Sequence, residues 1–274
     1  MATPIGNLGD LSPRAREVLA SADLVACEDT RVTGRLLHLT GARNRLQAYN
    51  DHNAPEVRPR LLAMLAEGKT VALVSDAGTP CISDPGYKLV REAVEAGAAV
   101  HAVPGPSAVL AALSVAGLPT DRFLFAGFLP SRSMARRAAL AELAPIRATL
   151  VFLEAAPRLV AMLAEAAEVL GGREAAVMRE LTKLHEEGRR GPLAELAQHY
   201  AEAGAPKGEI VVVVGPPAAE ASRPDPARVD AALREAARRL RPREAAAEVA
   251  AASGLPANEL YRRLMELKNE DRGD

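Results

Sequence analysis

The stretch VSDAGTPCISDPG, Val74 to Gly86, places thirteen residues rich in Gly, Pro, Asp and Ser between an apolar run and a helix-like one, where a short turn would serve. Two other loops share its chemistry. ATPIGNLGD lies near the start of the chain, and in PGPSAVLAAL the residues Pro104-Gly105-Pro106-Ser107 lead straight into a helix. Glycine in such loops lets backbone N–H and C=O groups approach a ligand closely. Proline fixes the path, and Ser, Thr and Asp supply short polar groups. Each loop alone reads equally well as a tight strand-to-helix turn. Three in one half, each after a strand-like run, point to the carboxyl edge of an open parallel sheet, where ligands bind. The sequence has neither GxxxxGK followed by Ser or Thr, nor GxGxxG, and little positive charge sits beside these loops. The expected ligand is therefore a small zwitterionic or cationic nucleoside rather than a nucleoside triphosphate or dinucleotide.

The elements that must hold these loops can be read from apolar periodicity. Strand-like runs occupy 24–27, 70–75, 99–104, 149–154, 175–178 and 209–215, and several lack alternation, as strands buried on both faces do. Helical patterns lie between them. SPRAREVLASA starts with Ser12 as N-cap and Pro13 in the first turn. A second runs from Asp84 as N-cap to a stop at Gly97; others fall at 56–67, 106–117, 157–170 and 193–203. The alternation predicts an α/β fold with mainly parallel pairing. GLPTDRFLFAGFLPSRS (117–133) reads as the connection between two α/β halves, 1–117 and 118–217. A third, helical unit at 225–274 follows, with an Ala/Arg/Glu-rich helix and then two helices about an SGLP turn, the last at 257–267. MATPIGNLGD reaches its turn almost at once, so the strand feeding it is either very short or begins upstream.

Composition sets bounds. Apolar residues make up 49% of the 274 and aromatic residues only 3%, with no Trp, so Ala, Val and Leu must pack the core. The formal net charge of −1 means that any polyanion must meet a local basic patch. Cys27 and Cys81, the only cysteines, show no metal-ligand spacing. With no signal peptide and no apolar run near twenty residues, the expectation is a reduced, cytoplasmic protein with no membrane partner and no metal.

The segments ATPIGNLGDLSPRA, CEDTR, SDAGTPCISDPGYKLV, PGPSAVLAALSVAGLPTDRFLFAGFLP, RELTKLHEE and KGEIVVVVG, in this order over nearly the whole chain, resemble the tetrapyrrole-methylase superfamily. Within it they resemble the branch of bacterial ribosomal RNA small subunit methyltransferases. The resemblance implies S-adenosylmethionine (SAM) as methyl donor, held in a cleft between two α/β domains, and a homodimer. It also implies, as acceptor, the ribose 2′-hydroxyl of a cytidine in the decoding region of 16S rRNA. By the same resemblance Asp76, Ala77, Gly78 and Thr79 lie along SAM with Ile82 nearby, Ser107 and Ala108 border it, and Pro4 and Gly6 belong to the first glycine-rich loop. Leu153, Glu154, Met178, Arg179, Lys207 and Gly208 close over the adenosine from the second half. The chain departs from the family pattern in three places. Cys81 stands where Gly is usual, EAAPR (154–158) replaces E-S-P-H-R, and the opening strand is cut to Met1-Ala2-Thr3.

Methyl transfer from a sulfonium is an in-line displacement. A weakly acidic ribose hydroxyl gains from a positioned base or a cation beside the developing alkoxide. Glu28, Asp29 and Arg31, at a strand end, and Lys183 of RELTKLHEE are the candidates. Asp29 capping the next helix and Arg31 in an ion pair would explain the same residues. Tyr49, His52 and Asn53 of YNDHNA are candidate acceptor contacts. Phosphates dominate RNA affinity, and arginines cluster at Arg132, Arg136 and Arg137, at Arg189 and Arg190, and at Arg238, Arg239, Arg241 and Arg243. Interspersed acids leave a plain solvated face as the alternative for each cluster. Two further functions stay open, methylation of a corrinoid or other tetrapyrrole, and RNA binding by a noncatalytic assembly factor. A Ser-His-Asp or Cys-His arrangement is not evident, so hydrolysis is not supported.

Overall fold

The computed structural model describes residues 1–218, 226–253 and 255–270. Contacts divide the chain into two units, Met1–Pro217 and Ala218–Asp274.

Helix α1 (Pro13–Ser21) starts as its sequence dictates, with the Ser12 hydroxyl accepting from the Ala15 N–H and Pro13 in the first turn. Strand β1 (Leu24–Cys27) is buried throughout. Helix α2 (Thr30–Thr40) is capped by Asp29 and stopped by Gly41 at φ +71°. Strand β2 (Leu46–Ala48), helix α3 (Ala54–Ala66) and strand β3 (Val71–Val74) follow, and the three strands form a parallel sheet in the order β2-β1-β3. The run 99–104 was expected to be a strand but forms no ladder. Residues 1–3 lie between it and β3, with the Met1 ammonium on the Leu73 carbonyl and the Ala2 N–H on that of Val103. Three residues supply too few donors to build a ladder. Helix α4 (Tyr87–Glu95) begins after Gly86 rather than at Asp84, because Gly86 sits at φ +136°, outside helical space. Helix α5 (Ala108–Ala116) is capped by the Ser107 hydroxyl.

The second sheet contains strands β4 (Phe123–Phe128), β5 (Thr149–Ala155), β6 (Glu174–Arg179), β7 (Glu187–Pro192) and β8 (Glu209–Val214) in the order β4-β5-β8-β6-β7. Only β4 and β5 pair in parallel; the other contacts are antiparallel. This corrects the expectation of mainly parallel pairing, because β6 turns directly into β7 and β8 returns between β5 and β6. One of these strands, β4, lies in the segment read as a connection, and another, β7, where no strand was read. FLFAGF carries a register break between Phe125 and Gly127, which blurs its period. EGRRGP is a charged edge strand, of a kind that discourages pairing with other chains.

Helices α6 (Ser133–Leu143), α7 (Leu159–Leu170) and α8 (Leu193–Ala203) cover one face of this sheet through Leu140, Leu163 and Leu193 against Leu150, Phe152 and Val212. Helix α5 covers the other, with Val109, Ala112 and Leu113 on Val151, Val211 and Val213. Adjacent strand residues are therefore buried on opposite faces, which is why these runs do not alternate. The packing also fixes the Ser107 loop against the second sheet.

The terminal unit packs helices α9 (Pro226–Ala237), α10 (Pro242–Ser253) and α11 (Ala257–Glu270) around Leu233, Ala245, Ala246, Leu260, Leu264 and Leu267. Gly254 of the expected SGLP turn, residue 225 and residues 271–274 lie outside the described residues. Among the described residues no helix is long and apolar enough to cross a membrane.

Candidate active site

Three loops converge on Gly78. Its N–H donates to the Thr3 carbonyl at 3.1 Å, and the Thr3 N–H donates back to the Gly78 carbonyl at 2.9 Å. The Ser75 hydroxyl also donates to that carbonyl at 3.2 Å, and the Thr79 hydroxyl donates to the Pro106 carbonyl at 3.3 Å. Gly78 sits at φ +81°, and a β-carbon there would stand 3.4 Å from Ile5 Cγ2. At Gly105 a β-carbon would lie 3.1 Å from that of Ala2. Left-handed backbone thus explains the glycine of the second loop, and close approach that of the third. The first and third loops border a cleft of about 320 Å³, lined among others by Ile5, Asp10, Gly105, Pro106, Ser107 and Thr182, and the second loop braces both from behind through Gly78 and Thr79.

Thr182 brings in the second sheet. The turn after β6 holds two non-glycine residues in left-handed backbone, Glu180 at φ +49° and Thr182 at φ +66°. The Glu180 carboxylate steadies it by accepting from the Glu209 N–H and the Lys183 ammonium, both at 2.9 Å. Lys183 also pairs with Glu209 at 3.1 Å. Burial pulls the Lys183 pKa down, but its bonds to Glu180 and Glu209 outweigh that and leave it raised, so the side chain is a fixed cation. Its aliphatic part lies over Gly6, where a β-carbon would come within 2.9 Å of Cε and 3.1 Å of the Thr182 hydroxyl oxygen. That hydroxyl is buried with no hydrogen-bond partner. A polar atom left unpaired at a cleft wall is costly unless a ligand supplies the bond, so the cleft suits a ligand with polar groups, as SAM has. Thr182 was legible only as part of RELTKLHEE; a position facing a glycine loop across the fold leaves no local signal.

At the ends of β1 and β3 an acidic group gathers. The Asp29 N–H donates to the Asp76 carboxylate at 3.0 Å. Burial first, then the charges of Asp76, Asp84, Asp51 and Asp29, raise the Glu28 carboxyl above its ordinary range. The Asp84 carboxyl is raised by burial and by Asp76. Asp29 differs. Hydrogen bonds from the Arg31 side chain and backbone hold its carboxyl at about 2, and the same residue caps α2. Arg31 is 89% exposed and bonded to Asp29 at 3.0 and 3.1 Å through Nε.

The remaining candidates divide. Ile82 is exposed, and Ala77 lies exposed beside Gly78. Arg179 Nε donates to the Lys207 carbonyl at 2.6 Å, bringing those two together, and Gly208 at φ +106° abuts the Glu180 carboxyl. Met178 is buried in the apolar cluster with Ile5, Val109 and Leu181. The Glu154 carboxylate is buried, accepting from the Ala155 N–H at 2.8 Å and pairing with Arg158 at 3.1 Å. His52 is exposed, whereas the Asn53 side chain closes its own turn by accepting from the Asn50 N–H and donating to the Ala48 carbonyl. Arg136 was expected to face RNA. It is instead only 5% exposed and bonded through Nε and one NH2 to the two oxygens of Glu165, at 2.7 and 2.8 Å. Arg190 donates to the Val115 and Ala116 carbonyls and so caps α5. Arg137 pairs with Glu168 at 2.6 Å, while Arg132 and Arg189 lie exposed.

Fold and site define a class of α/β protein, in which glycine-rich loops at the carboxyl edge of one sheet meet a turn of a second. Residues 2–197 match the family described as Tetrapyrrole (Corrin/Porphyrin) Methylases, and residues 223–268 match the RsmI C-terminal HTH domain. The chain belongs to the tetrapyrrole methylases, in the branch of the proteins named ribosomal RNA small subunit methyltransferase I. It is 54% identical to the protein of that name from Mesorhizobium japonicum, over 98% of this chain and 91% of the relative. Identity to that of Escherichia coli O157:H7 is 46%, over 96% and 93%. Among solved structures, uroporphyrin-III-C-methyltransferase from Thermus thermophilus shares the fold at TM-score 0.54 and 24% identity, over 78% of this chain and 91% of that one. A cobalt precorrin-4 methyltransferase does so at TM-score 0.57 and 18% identity, over 78% and 92%.

Proposed function

We propose that this chain is a SAM-dependent methyltransferase acting on the ribose 2′-hydroxyl of a cytidine in the decoding region of 16S rRNA, on the small ribosomal subunit, as a cytoplasmic homodimer. The family and the names of its relatives support rRNA methylation. The observation that carries the site is the meeting of three loops at Gly78, with the unpaired Thr182 hydroxyl set against Gly6 of the first loop.

In this reading two α/β halves, 1–117 and 118–217, flank the donor cleft. Bound SAM supplies an electrophilic methyl group. Asp76 to Thr79, Pro4, Gly6, Ser107 and Ala108 form one wall, with Ile82 at its edge. Leu153, Glu154, Met178, Arg179, Lys207 and Gly208 form the other. Glu28, whose carboxyl is raised by burial and by the neighbouring acids, takes the proton of the ribose hydroxyl. Lys183, held by Glu180 and Glu209, offers fixed positive charge to the developing alkoxide. Asp29 and Arg31 hold the end of β1 and the start of α2 in place around Glu28. His52, Asn53, Arg132, Arg137, Arg189 and the arginines at 238–243 contact the RNA; Arg136 and Arg190 have structural roles.

Labelled SAM offered with small subunits, free 16S rRNA and a corrinoid precursor tests this. Label is expected on the subunits, as 2′-O-methylcytidine. Label on the corrinoid alone overturns the reading, and SAM binding with no transfer favours a noncatalytic assembly factor.

A further inference from the structure

A second cavity adjoins the C-terminal end of the Val74–Gly86 loop. It has about 220 Å³ and is lined among others by Tyr49, Asp51, Arg58, Asp84, Tyr87 and Lys88. That is below the roughly 300–1,000 Å³ of pockets for whole small-molecule ligands, and suits a fragment the size of one nucleobase. Its chemistry is specific. Tyr49, 2% exposed, is buried at its wall, while Tyr87 stands 63% exposed with the Arg91 guanidinium 5.9 Å from its ring centre. Arg58 is committed to Glu92 at 2.9 Å. The carboxylates Asp51 and Asp84 share this lining with the exposed Lys88.

Its position is equally specific. Asp84 belongs to the loop that carries Gly78 toward the donor cleft, and Asp51 follows β2, the neighbour of β1 whose end bears Glu28. Asp51 and Asp84, both in the lining of this cavity, act electrostatically on Glu28, so Glu28 at the end of β1 lies near it. A nucleotide with its base in the second cavity directs its ribose toward Glu28.

We infer that this cavity receives the base of the acceptor nucleotide, with Tyr87 as its stacking platform and Asp51 and Asp84 accepting hydrogen bonds from an exocyclic amine. Acceptance by carboxylates favours a base with an amino group, as in cytosine, over uracil, which presents a carbonyl oxygen there. Enzymes that act on one nucleotide of a folded nucleic acid commonly take its base out of the stack into such a pocket.

The inference rests on the ribosomal RNA reading, and the test separates the two. Small subunits are prepared with C or U at the position where the wild-type protein places its methyl group, and kcat, KM and SAM affinity are measured. Tyr87→Leu is expected to raise the KM for subunits about tenfold, while Tyr87→Phe restores it. Asp51→Asn with Asp84→Asn is expected to narrow the preference for C over U about tenfold, because an amide can donate to the uracil oxygen. SAM affinity holds in all variants. Wild-type KM in Tyr87→Leu, or an unaltered preference in the double variant, overturns the inference. So does a loss of SAM affinity that matches the loss of transfer, since it would put these residues in the donor site. Failure of the wild-type protein to methylate any subunit is seen before a variant is made. It overturns the ribosomal RNA reading, and this inference falls with it.

Discussion

Thr3 and Gly78 exchange two backbone hydrogen bonds, 2.9 and 3.1 Å long, so the first loop and the Val74–Gly86 loop form one rigid corner. The corner depends on conformation more than on space. Gly78 is at φ +81°, yet a β-carbon there would meet only Ile5 Cγ2 at 3.4 Å and the Pro106 carbonyl at 3.9 Å. Gly78→Ala is therefore expected to weaken SAM binding about tenfold, from left-handed strain of about 1–2 kcal/mol. Gly78→Val, branched at Cβ, should abolish binding. Calorimetric titration with SAM checks both, and wild-type affinity in the Val variant would remove this corner from the donor site.

Glu28 gives a pH signature. Burial, reinforced by Asp76, Asp84, Asp51 and Asp29, raises its carboxyl. A general base must be deprotonated, so single-turnover methyl transfer is expected to rise with pH through a carboxyl value above the ordinary range. Glu28→Gln should slow transfer by about 10²–10⁴-fold and erase that limb. A limb that persists in Glu28→Gln would assign the base elsewhere.

Several features were legible before the fold was known, because they rest on local rules. Ser12 and Pro13 start α1, Ser107 starts α5, and the apolar runs of β1, β3, β5, β6 and β8 stand where periodicity put them. What failed was set by partners distant in sequence. The run 99–104 reads as a strand but meets the short Met1–Thr3 segment through the Ala2–Val103 hydrogen bond and forms no ladder, and EGRRGP, in which no strand was read, is held by β6. The glycine loops of the candidate cleft were visible, since glycine is the residue such corners require. The Thr182 hydroxyl was not, because its place beside Gly6 is made by the second sheet.

Arg136 and Glu165 are expected to behave as a structural pair, being 5% and 12% exposed with an Nε–carboxylate distance of 2.7 Å. Arg136→Met should lower stability by about 3–5 kcal/mol, because it leaves a carboxylate buried without its partner. The salt dependence of subunit binding should not change. The hydrogen bond from Arg136 is the largest influence lowering the Glu165 carboxyl. Its contribution is thus fully present above the ordinary carboxyl range and is lost as pH falls through the lowered folded value. Chemical denaturation across acidic pH should show this loss in the wild type and not in Arg136→Met. A flattened salt slope for binding would instead return Arg136 to the RNA surface.

The arginines at 238–243 make the opposite prediction. All four are exposed, with Arg238 on Glu235 at 3.2 Å and Arg239 on Glu248 at 3.0 Å. Replacing Arg238, Arg239, Arg241 and Arg243 by Gln should weaken subunit binding and reduce its salt slope by about one for each arginine that meets a phosphate. The two already paired with glutamates should count least. SAM affinity should hold, and an unaltered slope would clear the cluster of RNA contact.

Cys81 occupies a position that asks for glycine. Its φ of +69° lies in left-handed space, which costs a residue with a β-carbon about 1–2 kcal/mol. Glycine would relieve that strain but would give the unfolded chain more freedom, offsetting about 0.5–1 kcal/mol of the gain. Cys81→Gly is therefore expected to raise stability by about 0.5–1 kcal/mol. The thiol itself is a competing influence, because its sulfur stands 2.8 Å from where a β-carbon on Gly86 would be and so packs against that glycine. Cys81→Ala separates the two, since it removes the sulfur and keeps the strained backbone. If conformation dominates, Ala should gain nothing over Cys while Gly gains in urea denaturation. Equal loss in both variants would mean that the sulfur's packing outweighs the strain it imposes.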